Sequence, residues 1–241
     1  MSVSMARVRA IFRKDLREYR RNRSIVVTMA VIPLIFVINP LIEVFALPAS
    51  SASALRHGNA LLYMLGIPAL VPAVVAAYSV VGERQQGTLE PVLTTPIRRE
   101  EFLLGKALAA LVPSLAISYV VYVLFLACVG LFARPSVASA LIRGPELLAQ
   151  LLFTPLLAAW SIWVGIAISA RSSEVRVAQQ LGMLASLPSV AVTSLIAYNV
   201  IHATLGLALG LAAALLVLDR LGWRVVSAMF DRERLITGTR S

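Results

Sequence analysis

Cysteine and histidine are scarce in this chain of 241 residues. Its one cysteine, Cys128, lies inside an apolar run, so an intrachain disulfide and a metal site built from several thiolates are both excluded. One of the two histidines, His202, has no second histidine or acid nearby, and the other, His57, falls in a loop. No serine–histidine–aspartate set or carboxylate pair is present either. The sequence therefore offers no metal site and no candidate for catalysis.

Charge is also scarce, since 14% of the residues are charged and 59% are hydrophobic. The mean hydropathy is +0.84, and no stretch is polar enough to form a soluble domain with its own core. A net charge of +10 could indicate nucleic-acid binding, but the bases stand beside apolar runs rather than on a soluble face. Membrane topology explains them better, and we expect no nucleic-acid partner.

The apolar runs predict an all-α polytopic membrane protein, with one membrane domain over residues 1–241. The last two spans come from residues 177–218, which contain no lysine, arginine, aspartate or glutamate. As one helix these residues would extend ~63 Å, about twice the hydrocarbon thickness of a bilayer. Polar residues in the middle, around Tyr198 and Asn199, predict a turn that makes a hairpin or a re-entrant pair. The six predicted spans cover residues 24–46, 59–81, 103–131, 147–170, 177–197 and 201–218.

The distribution of basic residues predicts the orientation. The N-terminal segment, two loops and the C-terminal tail hold 19 of the 22 lysines and arginines, which places both termini in the cytoplasm by the positive-inside rule. Before the first span, apolar residues recur at helical spacing among the bases. We therefore predict an amphipathic interfacial helix whose partner is membrane lipid at the cytoplasmic leaflet. Its apolar positions are Met5, Val8, Phe12, Leu16 and Tyr19.

The most informative stretch is the loop of residues 82–102, between spans two and three. Thr88 can cap a short helix, and Thr95 can cap a second one that starts at Pro96 and runs through Arg98 into the third span. This arrangement predicts a short surface helix between two bends. It leaves Glu83, Arg84, Gln86 and Glu90 facing water or a partner. The plainer interpretation is a solvated loop whose charges only keep it in the cytoplasm.

The loop resembles the signature of the membrane subunits of type-2 ATP-binding-cassette exporters. That family has an E-R-x-x-G-T-x-E element, an L-x-x-T/S-P step and a G-K pair at the head of the third span. The resemblance implies a coupling helix that docks on a cytoplasmic P-loop ATPase. The positions it assigns to coupling are Glu83, Arg84, Gly87, Thr88, Glu90, Pro96, Arg98, Gly105 and Lys106.

The resemblance further implies a permease in the plasma (inner) membrane that works as a dimer, most simply a homodimer. ATP and Mg would then be bound by the ATPase and no cofactor by this chain. The sequence agrees, because Gly82 and Gly87 have phosphate-loop spacing but Thr88 stands where lysine is required. Gly105 and Lys106 are likewise followed by alanine. We expect no enzymatic activity from this chain.

Two alternatives remain open: an ATP-independent secondary transporter or channel, and a membrane scaffold that transports nothing. A translocation path could include polar and aromatic residues of the spans, although an interfacial position for Glu43 and a packing role for the two tryptophans are favoured. The apolar lining fits a hydrophobic drug, a lipid-linked molecule or a natural product without selecting one. The path candidates are Asn39, Glu43, Trp160, Trp163, Tyr198 and Asn199.

Overall fold

The computed structural model describes residues 4–45, 60–87 and 97–230. These ranges contain eight α-helices, one short 3₁₀ helix and no strand. The 3₁₀ helix, Ala60–Leu65, leads directly into α3. The α-helices are α1 Met5–Arg21, α2 Arg23–Phe45, α3 Gly66–Gln85, α4 Arg99–Phe132, α5 Pro135–Leu141, α6 Gly144–Arg171, α7 Val175–Ala197 and α8 Leu205–Met229.

Six of these helices are long and apolar enough to cross a membrane, which confirms an all-α multi-pass membrane protein. They are α2, α3 with the end of the 3₁₀ helix, α4, α6, α7 and α8. The charge-free stretch does fold as two helices, with the turn after Ala197. Both are long enough to cross the bilayer.

Helix α8 continues beyond Leu218, the predicted end of the final span, to Met229. The prediction stopped at the first charged residues, Asp219 and Arg220. Charged side chains near the end of a membrane helix extend their heads toward the interface, so they do not have to end the helix.

Helix α3 is the centre of the bundle, with 94% of its span window buried. Small residues allow this burial, since a Cβ added at Gly165 of α6 would stand 2.6 Å from the carbonyl oxygen of Ala73. Two serines of α6 complete the contact. Ser161 donates to the carbonyl of Ala69 at 2.7 Å, and Ser169 accepts from two backbone amides of α3. Close backbone approach with serine hydrogen bonds is typical of packing between membrane helices.

Helix α1 packs against the protein along one face, so the predicted apolar positions Val8 and Tyr19 face the bundle rather than lipid. Its buried residues are Val8, Ile11, Asp15 and Tyr19, and they lie mainly on α4. The contact is at the end of the bundle where α3 ends and α4 begins, here called the loop end. Of the other predicted apolar positions, Phe12 is half-buried against the core, Leu16 is half-buried, and Met5 is 70% exposed.

Candidate functional site at the loop end

A buried lysine joins three helices at the loop end. Lys106 of α4 has a side chain with no solvent exposure. Its Nζ lies 2.9 Å from Glu83 Oε2 of α3 and 3.3 Å from Asp15 Oδ2 of α1. It also donates to the carbonyl of Ser79 at 2.7 Å. A buried charge needs such partners, because an unpaired ion in a low-dielectric interior is very costly.

Lys14 completes this group, here called the charge cluster: Lys14, Asp15, Glu83 and Lys106. Its Nζ pairs with Glu83 Oε1, so two bases face two acids and the formal charges cancel. Burial raises the pKa of Asp15, although Lys106 acts in the opposite direction. Burial lowers the pKa of Lys14, but the hydrogen bond and charge of Glu83 outweigh burial, and that pKa is raised overall.

A second contact ties α1 to the start of α4. The carboxylate of Glu101 accepts from the backbone amide of Ser4 at 2.7 Å and from that of Arg98 at 3.1 Å. Arg7 adds an ion pair at 3.3 Å. The amide of Ser4 precedes α1 and that of Arg98 precedes α4. Glu101 therefore caps both helices and holds their first turns together.

Gly105 explains how α1 comes so close to α4. A Cβ at this position would lie 2.7 Å from the side chain of Ile11 and 3.3 Å from the carbonyl of Val8. The glycine and lysine of the G-K pair therefore both serve the same contact with α1. Gly105 makes room for the helix, and Lys106 binds its buried aspartate.

The carboxyl-terminal part of α3 is held from two sides. On one side Tyr78 donates to Glu18 of α1 at 2.9 Å, and Gln86 donates to the same carboxylate at 3.2 Å. On the other side Arg84 donates to the carbonyls of Ala170 and Ser172, both at 2.9 Å. The stem that enters the loop is therefore fixed to α1 and to the end of α6.

Two expectations about the loop need correction. Glu83 does not face water, since its residue exposure is 2% and its carboxylate pairs with Lys14 and Lys106. The third-span helix does not start at Pro96, because Arg98 has extended dihedrals and α4 begins at Arg99. The carboxylate of Glu101 provides the cap. Gly87 follows α3 with φ +68°, a left-handed conformation that glycine adopts without strain at a helix end.

The predicted short surface helix lies outside the described residues, as do Thr88, Glu90 and Pro96. Sequence reasoning also missed the contributions of Lys14, Asp15 and Glu101. One signal was available for Asp15. It lies on the same helical stripe as Val8, Ile11 and Tyr19, and an acid on an apolar stripe predicts a buried cation on the opposite helix.

Four of the predicted path residues lie near the other end of the bundle. Asn39 donates to Glu43 at 3.0 Å within α2. Glu43 acts electrostatically on Tyr198, whose ring lies 5.9 Å from that of Tyr63. Asn199 follows in the turn with φ 59°. The structure thus brings Asn39, Glu43 and Tyr198 into one neighbourhood, and their role in a path stays a prediction.

The two tryptophans lie elsewhere, against α8. The rings of Trp163 and Trp223 meet edge to face, 5.4 Å apart, and a Cβ at Gly222 would stand 2.8 Å from that of Trp163. Trp160 and Trp163 line a small apolar cleft between α6 and α8. This geometry corresponds to helix packing, the role that the sequence favours.

Comparison with known proteins identifies one family. A family model described as ABC-2 family transporter protein matches residues 9–221. The match begins in the second turn of α1 and ends within α8, so it includes the charge cluster and both stems of the loop. No curated protein matches the chain.

Proposed function

This chain belongs to the ABC-2 transporter family, and we propose that it is the permease subunit of an ATP-driven exporter powered by a separate cytoplasmic ATPase. Family membership makes it the transmembrane component of an ABC transporter and implies a partner subunit that binds ATP. Export, rather than uptake, is the proposed direction. We expect this subunit to carry out no hydrolysis, since its sequence has no complete phosphate loop.

One observation carries the proposal: both stems of the loop are fixed to the bundle through α1. Glu83, in the last turn of α3, pairs with Lys14, while Glu101, in the first turn of α4, accepts the amide of Ser4. Because α1 contacts both stems, a force applied to either stem would be passed to α1 and to the other stem, as a coupling element requires.

We propose that the motif residues have two kinds of role. Glu83, Gly105 and Lys106 are positioning residues, because they are buried against α1. The residues proposed to contact the ATPase are Thr88 and Glu90 of the loop and Gln85 beside it, whose side chain is exposed. Arg84 has an intermediate role, since it binds the carboxyl end of α6.

The proposed mechanism is mechanical. Two permease copies form the path, most simply as a homodimer in the plasma (inner) membrane, with both termini in the cytoplasm. ATP and Mg bind to the paired ATPase subunits, whose closure displaces the loops. Rigid-body tilting of the spans then opens the path alternately to the two sides.

The test is co-purification of the tagged full chain with a P-loop ATPase from its native membrane. Glu90→Lys should remove the ATPase, because it reverses a charge in the proposed contact. Glu174→Lys is the matched control, since Glu174 is an exposed acid in the loop before α7. Purification of the wild-type chain without any P-loop ATPase, with transport intact in Glu90→Lys, would overturn the proposal in favour of an ATP-independent transporter.

A further inference from the structure

Four arginines of α1 form a row that faces away from the protein. Arg9, Arg13, Arg17 and Arg20 are all exposed, and none has a hydrogen bond or ion pair with another residue in the described ranges. With about 100° between successive residues, the four fall within an arc of about 80°, and the row is ~16 Å long. This arginine row is separate from the charge cluster, whose Asp15 lies on the opposite side of the helix.

The order of faces around α1 shows what the row meets. The protein-facing stripe of Val8, Ile11, Asp15 and Tyr19 comes first. Beside it lies an apolar flank of Met5, Phe12 and Leu16, with Met5 exposed and the other two half-buried. The arginine row comes next, centred roughly 75° further round the helix.

This order matches the layers of a membrane surface. An apolar flank of an interfacial helix is stable in the boundary between headgroups and acyl chains. Arginines beside it then lie at the level of the lipid phosphates, where their planar guanidinium groups can bind oxygen pairs. Helix α1 is also joined to the membrane by one residue, Asn22, since α2 begins at Arg23.

We infer that the arginine row of α1 is a binding surface for anionic phospholipid headgroups in the leaflet at the loop end. An acidic protein surface could satisfy the same charges, but it would leave the neighbouring apolar flank in water. Lipid satisfies both faces at once. The inference does not depend on the proposed function, because lipid binding needs no ATPase.

The test is native mass spectrometry of the purified full chain, offered phosphatidylglycerol or phosphatidylcholine with the same acyl chains. The wild-type chain should retain phosphatidylglycerol preferentially. In Arg13→Gln/Arg17→Gln this preference should fall by about tenfold or more, since each basic residue near an anionic surface contributes about a fivefold factor in affinity. Arg13→Lys/Arg17→Lys keeps the charge and should retain most of the preference.

The matched control is Arg171→Gln/Arg176→Gln, which removes two exposed arginines, one at the last residue of α6 and one in the first turn of α7. It should leave the preference within about twofold of wild type, because these arginines lie outside the row. An equal loss in this control would overturn the inference, since net charge alone would then explain binding. Unchanged lipid retention in Arg13→Gln/Arg17→Gln, with loss of the ATPase on co-purification, would overturn it in favour of a protein partner.

Discussion

Lys106→Met is the most informative single change, because it removes the cation that three helices share. The methionine keeps most of the volume and the apolar stem of the lysine. The contact with the ring of Phe102, now 4.9 Å from Nζ, becomes an apolar one. What disappears is the charge that faces Asp15 and Glu83. We expect a large loss of stability from this electrostatic change rather than from lost packing.

The magnitude follows from the geometry. At an effective dielectric constant of about 20, unit charges at the observed 2.9 and 3.3 Å attract by roughly 5–6 kcal/mol for each pair. Most of this attraction offsets the cost of burying the ions. After Lys106 is replaced, the carboxylates of Asp15 and Glu83 stay buried, and Lys14 is the one base of the charge cluster left to pair with them. Breaking a buried pair in this way costs about 3–5 kcal/mol.

The assay is unfolding of the purified full chain in mixed micelles by increasing detergent denaturant, followed by tryptophan fluorescence. Lys14→Met is the matched control, because this lysine pairs with the same Glu83 but its side chain is 42% exposed. Solvent screening should limit its cost to about 1 kcal/mol. The double change Glu83→Gln/Lys106→Met should cost less than the two single changes added together, with a coupling energy of about 1–3 kcal/mol.

Equal losses in Lys106→Met and Lys14→Met would refute the reasoning, since burial would then make no difference. Strict additivity in the double variant would refute it too, because the two side chains would then stabilise the fold independently.

Two further predictions concern packing and pH. Gly165→Ala should destabilise the chain by about 1–3 kcal/mol, because the new methyl would overlap the backbone of Ala73; Gly210→Ala, with open space around it, should be neutral or slightly stabilising in the same assay. Burial raises the pKa of Asp15 above its ordinary 3.8, although Lys106 acts in the opposite direction. Asp15 therefore contributes stability to the folded state below pH 3.8, and that contribution is lost as pH rises through the pKa of the folded state. The unfolding midpoint of the wild type relative to Asp15→Asn should therefore decrease as pH rises above 3.8, and a difference that stays flat with pH would contradict the sign.

The number of helices could be predicted from the sequence where the length of an apolar run determines it. Residues 177–218 are too long for one crossing and contain a polar centre, so two helices with a turn near Tyr198 followed directly. The end of α8 could not be found in this way. A count of charges treats Asp219 and Arg220 as a boundary, while the helix itself continues for as long as its backbone hydrogen bonds are satisfied.

The loop-end site was only half predictable for a physical reason. The motif identified Glu83, Gly105 and Lys106, but their orientation depends on α1, which is distant in sequence. The bond between Lys106 and Asp15 joins residues 91 positions apart, and that between Ser4 and Glu101 joins residues 97 apart. A charged motif in a loop predicts exposure when only its neighbours in sequence are considered. The motif is buried because α1 packs over it, and that contact cannot be predicted from the loop sequence alone.

The buried contacts also limit how the two stems, the end of α3 and the start of α4, can move if an ATPase drives them. A displacement of the stems that left α1 behind would separate Glu83 from Lys14, Asp15 from Lys106 and Glu101 from the amide of Ser4. Each of these buried acids would then lose one partner. Sliding of α1 along the membrane surface together with the stems would keep these pairs, and on the proposed lipid-binding surface it would exchange one set of lipids for another. The second motion is the less costly one. Helix α1 should therefore move with both stems as one body, and because only Asn22 separates it from α2, the first span should receive that motion directly.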